Sequence, residues 1–340
     1  MSLRNSILIF TFYLIGISAY SQDTQLLKNS LSKAGFEQIT FSPIKLEEKG
    51  VSYKIVLEHR GINNPSEVLK LAKELCLDSG LSGITLVLLK KGIILFETKI
   101  DGETMNPVFL NNMEELSFHR DFSISKYRIN SFFLPDPSIR FGYFDNPLQS
   151  KINLLLGSDL ILFRGASIFT SINLPLINDL DNEGFGPKIG PTFIDYFGKF
   201  GSINFFKISG GIFFNNRYGM DFQYTLNDLS KPWSLSFRYA QTGFYFAPQG
   251  GLFFNPINDE MMLITVDYLL NNRITVSMEA GQFLDLDRGL KVRFFKQYKN
   301  IELGFFAAYT DAGTNGGFSF MFPLVPRKII RTGGFEFRGH

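Results

Sequence analysis

The chain of 340 residues has one cysteine, three histidines and a single tryptophan. A lone thiol, Cys76, can close no internal disulfide, so an exported chain of this kind folds without staples. Cys76 falls among Leu69, Leu71 and Leu75 in an expected helix and reads as a buried, inert side chain. His59, His119 and His340 stand one to a region, without the spacing of metal ligands. No Ser or Cys occupies a nucleophile elbow, and no glycine loop opens a phosphate-binding helix. No cofactor or metal is expected. Charge excess is missing too: 34 Lys and Arg against 32 Asp and Glu leave a formal +2, which gives no electrostatic case for nucleic acid. Beyond residue 21 no apolar run reaches the roughly 18 residues of a spanning helix.

What is abundant is aromatic: 38 Phe and 13 Tyr, accompanied by 31 Gly. Aromatic-rich strands with glycine at turns and crowded interior positions suit a transmembrane barrel. From Tyr218 to Thr310 apolar and polar residues alternate through segment after segment. Tyr218, Met220, Phe222, Tyr224 and Leu226 oppose Gly219, Asp221, Gln223 and Thr225. The split returns in 233–240, 262–270, 274–280 and 301–309. Successive strand residues face opposite sides of a sheet, so each segment reads as a strand with one oily and one wet face. The wet faces carry mostly Gly, Ser, Thr, Asn and Gln, whereas the water side of a soluble sandwich is strongly charged. In lipid every backbone group needs a partner, and strands achieve that only by closing. The expected fold is mainly β: a single transmembrane antiparallel β-barrel of about 12 strands over 137–325, preceded by a small α+β module. Tyr218, Trp233, Tyr239, Tyr268 and Tyr309, near segment ends, fit interfacial belts.

Residues 1–21 read as a signal peptide: Arg4, an apolar core from Ile7 to Ile17, and small residues at Ala19-Tyr20-Ser21. No Cys follows the cleavage site, which argues against a lipoprotein anchor. Residues 22–101 predict two α-β-β repeats. "AGFEQITFS" resembles "SGLSGITLV", pairing Gly35 with Gly80, and "EEKGVSYKIVLE" resembles "LKKGIILFETKI", pairing Gly50 with Gly92. Here His59 and Arg60 read as a solvated strand edge. Residues 102–136, with Asn106-Pro107, Asn111-Asn112 and Pro135-Asp136-Pro137, read as a linker, and 326–340 as a basic C-terminal tail. The connections Ile177–Lys188 and Ala247–Asp259 are long and polar while others are short, the asymmetry of outer-membrane barrels.

By alternation Arg140, Lys151, Asp221, Gln223, Arg238, Asp267, Glu279, Arg293 and Glu302 face the lumen. Their charges are of both signs, which argues against a simple cation or anion pore. Asp285 and Asp287 could mimic the paired carboxylates of glycosidic chemistry; the plainer reading is a turn with Arg288 as ion-pair partner.

The stretch "GQFLDLDRGLKVRFFKQYKNIELGFFAAYTDAG…GGFSFMFPL" resembles the C-terminal part of the YjbH-like exopolysaccharide-biosynthesis family, and "SIRFGYFDNPLQSKINLLLGSDLILFRGASIFTSINLPL" is similar to that family's opening strands. The resemblance covers about 137–325. Its motif positions include Gly281, Asp287, Gly289, Arg293, Gly304, Thr310 and Asp311. It implies a non-enzymatic outer-membrane barrel encoded with capsule or exopolysaccharide secretion systems, with membrane lipid, a polysaccharide and periplasmic export proteins as partners. Many family members are longer and carry a second barrel, for which this chain has no room. Two other functions fit the alternation: a small solute porin, and a rim-site lipid or glycan hydrolase.

Overall fold

The computed structural model describes residues 24–45, 51–60, 65–79, 83–101, 104–108, 127–141, 148–179, 185–228, 231–246, 252–271, 274–298, 301–321 and 330–339. The expected signal peptide lies outside them. The chain is mainly β and divides into two compact units, Met1–Ser123 and Ile124–His340.

The first unit runs α1 (24–33), β1 (Phe36–Lys45), β2 (Val51–His59), α2 (Pro65–Asp78), β3 (Ile84–Lys90), β4 (Ile93–Asp101) and β5 (Thr104–Val108). Helix, strand, strand recurs twice, and the strands form one sheet in chain order. β2 and β3 run parallel, which requires a crossover, and α2 supplies it. The remaining pairs are antiparallel. Leu27 and Leu31 of α1 and Val68, Leu69, Ala72 and Cys76 of α2 are buried against Phe36, Ile55, Leu57, Ile84, Leu86 and Leu88. Each such side chain taken from water contributes about 1.5–3 kcal/mol. β5 corrects the expected linker: Thr104–Val108 extends this sheet along β4.

The second unit contains β6 (Ile129–Phe141), β7 (Leu148–Phe163), β8 (Ala166–Asn178), β9 (Lys188–Ile189), β10 (Thr192–Phe200) and β11 (Asn204–Phe213). β12 (Arg217–Asn227), β13 (Trp233–Phe246), β14 (Phe253–Phe254), β15 (Asp259–Asn271) and β16 (Ile274–Gln282) follow. A 3-10 turn at Leu284–Leu286 leads into β17 (Arg288–Tyr298), β18 (Ile301–Thr310), β19 (Gly313–Met321), β20 (Ile330–Thr332) and β21 (Phe335–Gly339). They make one 16-stranded sheet in the order β19-β18-β17-β16-β15-β13-β12-β11-β10-β8-β7-β6-β21-β20, with β9 paired to β8 and β14 to β13. Neighbours are antiparallel except β21 and β6, which run parallel. Among the described residues the path ends at β19 and β20, and no ladder joins them.

Two expectations fail here. The linker over 102–136 gives way at its far end to β6, which begins at Ile129 and carries Pro135 and Pro137 within a ladder to β7. Proline has no N–H to donate, and β21 pairs only Ile129–Phe133, so both prolines sit where the other edge of β6 has no ladder. The C-terminal tail is not a tail. Ile330–Thr332 and Phe335–Gly339 form a hairpin about Gly333-Gly334, with Gly333 at φ +55. Arg331 Nε lies 2.7 Å from the buried carboxylate of Glu336.

The connections differ at the two ends of the strands. At one end the strands are joined by residues 164–165, 201–203, 228–232, 272–273, 299–300 and 322–329. At the other it passes through 142–147, 179–191, 214–216, 247–258, 283–287 and 311–312, where the longest connections lie.

The polarity of this sheet is inverted. Met262, Ile264, Val266, Tyr268 and Leu270 along β15 are all exposed, Ile264 at 54%. Ile301, Leu303, Phe305 and Tyr309 along β18 are exposed as well. On the opposite face Ser167, Asp195, Ser209 and Ser277 are buried, none above 4% exposure. A sheet folded for water hides the first set and displays the second.

Glycines shape the polar face. Gly219 has φ +146, and a Cβ there would lie 2.1 Å from the carbonyl oxygen of Gln241. Gly281, at φ +142, would meet the carbonyl oxygen of Met262 at 2.1 Å. Glycine kinks of this sort let a sheet curve.

Candidate functional site on the polar face

Register fixes which side chains share a face, because directly opposed residues point the same way. Asp221 opposes Ala240, Gln223 opposes Arg238, and Arg238 opposes Leu263. Ser234 opposes Asp267, Asp267 opposes Ser277, and Ser277 opposes Arg293. Thr265 opposes Glu279, and Gln297 opposes Glu302. On β6 and β7, Arg140 opposes Gln149 and Lys151 opposes Ser138; the side chain of Arg140 lies outside the described residues. The ladders therefore carry Lys151, Asp221, Gln223, Arg238, Asp267, Glu279, Arg293 and Glu302 on the one face that buries Ser167, Asp195 and Ser209.

These charges meet in pairs. Arg238 reaches Asp221 Oδ2 at 2.5 Å through Nη2 and at 2.7 Å through Nε. Arg293 Nη2 lies 2.8 Å from Glu279 Oε1, with Lys291 at 3.9 Å from the other oxygen. Ser234 donates to Asp267 at 3.5 Å. Asp195, at the foot of β10, accepts from Ser167 at 2.7 Å. With Arg238 half exposed, the Asp221 pair contributes about 0–1 kcal/mol. The face carries charges of both signs in small networks: Arg238 balances Asp221, Arg293 and Lys291 share Glu279, and Asp267 meets a serine hydroxyl.

The most connected charge was missed in the sequence reading. Arg217, only 7% exposed in its side chain, opens β12. Its Nη1 donates to Asp259 Oδ2 at 2.7 Å and to Thr242 Oγ1 at 3.1 Å, and its Nη2 donates to Asp285 Oδ1 at 2.8 Å. Its guanidinium also lies 4.1 Å from the centre of the Phe244 ring, a cation–π contact. Two residue steps back from Gly219 along the alternation of β12 lead to Arg217, so the signal was present in the pattern.

Asp285 and Asp287 have separate partners. Asp285 turns to Arg217, while Asp287 Oδ1 accepts the backbone N–H of Ala312 at 3.0 Å. Arg288 partners neither in these bonds; its Nε donates to Gln282 at 3.3 Å. Among the other positions singled out with Asp287, Gly281, Gly289 and Gly304 stand where a Cβ would collide with a neighbouring strand, at 2.1, 2.2 and 2.6 Å. Gly289 opposes Thr310, and Asp311 donates its backbone N–H to Arg288 at 2.9 Å. These motif positions serve the packing and turns of β16 to β19.

In the first unit, His59 and Arg60 are not a solvated edge. The His59 ring packs edge-on against Phe36 at 5.1 Å, and Arg60, 9% exposed, lies 2.6 Å from Glu37, which is 1% exposed. The contact is an ion pair between opposite charges. Beside it, Glu58 is buried and its carboxyl is pushed above the ordinary 4.5, chiefly by burial. Burial likewise pushes the Cys76 thiol up to about 12. Among the described residues no group of three or more His, Cys, Asp or Glu could hold a metal, and no helix is long and apolar enough to cross a membrane.

No family model, no curated protein and no solved structure matches the chain.

Proposed function

We propose that this chain is an outer-membrane β-barrel protein with an N-terminal periplasmic α+β module, and that it takes part without catalysis in the export or assembly of an extracellular polysaccharide. The observation that carries the membrane reading is the inverted polarity of the large sheet. An oily outside and a polar inside cost stability in water and are required in hydrocarbon.

Three further features support it. Fourteen strands lie along the sheet path, so a flat sheet would hold its ends roughly 60 Å apart at about 4.8 Å per strand. The chain between Met321 of β19 and Ile330 of β20 can span only about 30 Å. The sheet therefore curls, as closure demands. The two longest connections, 179–191 and 247–258, lie at one end, as at the outer rim of such barrels, and the chain enters β6 at the other end. Trp233 opposes Tyr268 near the end where β6 begins, while the exposed Tyr309 stands near the opposite one, as two aromatic belts require.

The export role rests on the resemblance of 137–325 to the YjbH-like family and on the paired charges of the polar face, which suit a neutral, hydroxyl-rich cargo better than an ion. The membrane reading is tested by gel mobility of the detergent-extracted protein. A folded barrel runs anomalously until boiled, whereas extraction by carbonate with no heat shift overturns the assignment. Deletion should then abolish surface polysaccharide; an intact capsule together with steady solute conductance would make the protein a porin instead.

A further inference from the structure

The connection between β16 and β17 does not splay away from the sheet. Phe283 and Leu284 pack on Ala240, Met261 and Leu263, which are buried beneath them. Those three residues belong to the polar face: Ala240 opposes Asp221, Met261 opposes Ala240, and Leu263 opposes Arg238. The segment thus folds back over the inner side, at the end where the connections are longest.

Its backbone is held in an uncommon form. Asp285 and Leu286 sit at φ +62 and +61. A leucine in the left-handed region is a true outlier, sustained by its surroundings rather than by its own preference. Two things hold it: the apolar contacts of Phe283 and Leu284, and the bond from buried Arg217 to Asp285. The two ends of that bond differ. Arg217 is fixed by Asp259, Thr242 and Phe244, whereas the Asp285 side chain is 68% exposed. The anchor is rigid and the moving partner is reachable by water, as a releasable contact needs.

We infer that Phe283–Asp287 is a strap that narrows the polar passage at its long-connection end and is kept closed by Arg217. The inference rests on the barrel reading. It assigns the strap the task of limiting leakage when no polymer is in transit, since a cargo chain entering past β15 would have to displace Phe283 and Leu284.

The test uses the full-length protein in planar lipid bilayers, with heat-modifiable mobility measured on the same preparations. Asp285 is the residue to change, because removing Arg217 would leave the half-buried Asp259 without its partner. Asp285→Ala is expected to stay heat-modifiable and to conduct several-fold more than the wild type. Leu286→Gly relaxes the left-handed backbone and keeps the ion pair, so its conductance should stay at or below the wild-type level. Equal conductance of wild type and Asp285→Ala, with both heat-modifiable, overturns the strap and leaves the barrel standing. A rise in Leu286→Gly matching that of Asp285→Ala also overturns it, since loop stiffness and not the ion pair would then set the leak. Absence of any heat shift removes barrel and strap together.

Discussion

Glu58 binds the chain reversal between β3 and β4 with both oxygens: Oε1 accepts the N–H of Lys91 at 2.6 Å and Oε2 the N–H of Gly92 at 3.2 Å. Gln38 Nε2 adds a third bond, to Oε2, at 2.9 Å. Lys91 and Gly92 both have positive φ, +51 and +75, the pairing a tight two-residue hairpin turn demands. One buried carboxylate thus clamps a turn 33 residues away in sequence.

Burial pushes this carboxyl above 4.5, against the opposing influence of Arg60 and of the two backbone donors. The folded unit therefore holds the proton to a higher pH than the unfolded chain does. Its contribution to stability is complete below the ordinary 4.5 and is lost as pH rises through the folded value. The denaturation midpoint of the first unit, followed in the full-length protein, should rise as pH falls from about 7 to about 5. Glu58→Gln should flatten that slope and cost about 1–3 kcal/mol near neutrality, because an amide cannot accept on both sides. A Gln variant with the wild-type slope would remove Glu58 as the cause.

Cys76 is fully buried and its thiol is pushed up to about 12, so almost no thiolate exists near neutrality. A water-soluble aromatic disulfide reagent should leave the native protein unmodified and titrate one thiol after denaturation. Rapid labelling of the native form would mean that the α2 packing opens readily.

The inverted sheet makes a prediction that separates lipid from water. Ile264 lies midway along β15, facing outward, and its neighbour Thr265 faces the polar side opposite Glu279. Ile264→Lys should cost about 2–4 kcal/mol of folding in lipid vesicles, as a lysine at the bilayer midplane does. Thr265→Lys should be near neutral. If Ile264→Lys folds as well as the wild type, hydrocarbon does not meet that face.

Gly281 and Gly333 both have positive φ, but only Gly281 has a neighbour where a side chain would go. Gly281→Val should destabilise the large sheet by at least about 1–3 kcal/mol from backbone strain, read by urea titration of vesicle-folded protein. Gly333→Asn should be tolerated, since asparagine accepts the left-handed region and nothing lies within 4 Å.

Strands with unbroken alternation were legible in the sequence. The segments 218–226, 233–240, 262–270, 274–280 and 301–309 all fall inside β12, β13, β15, β16 and β18. The order of helices and strands in the first unit was legible as well, through its repeated glycines. Other elements were obscured by local signals. Pro135 and Pro137 hid β6 because a proline normally ends a ladder, and its tolerance here depends on which edge is unpaired, a tertiary fact. The hairpin at Gly333-Gly334 was hidden by Arg and Lys nearby, although a two-residue glycine turn between alternating runs is a hairpin signal. The facing of β11 follows from register, which puts Ser209 opposite Asp195. Asp285 could not be matched to Arg217 from sequence, because 68 residues separate them and only the inward fold of the strap brings them together.

The parallel ladder between β21 and β6 ties the last residues of the chain to the first strand of the large sheet. The β21 partner of Ile129–Phe133 is made only after all the strands that lie between them in sequence. Completion of that edge must then await β21, with β6 kept apart from other chains until it arrives. A chain that lacks residues 330–339 would be expected to aggregate through β6.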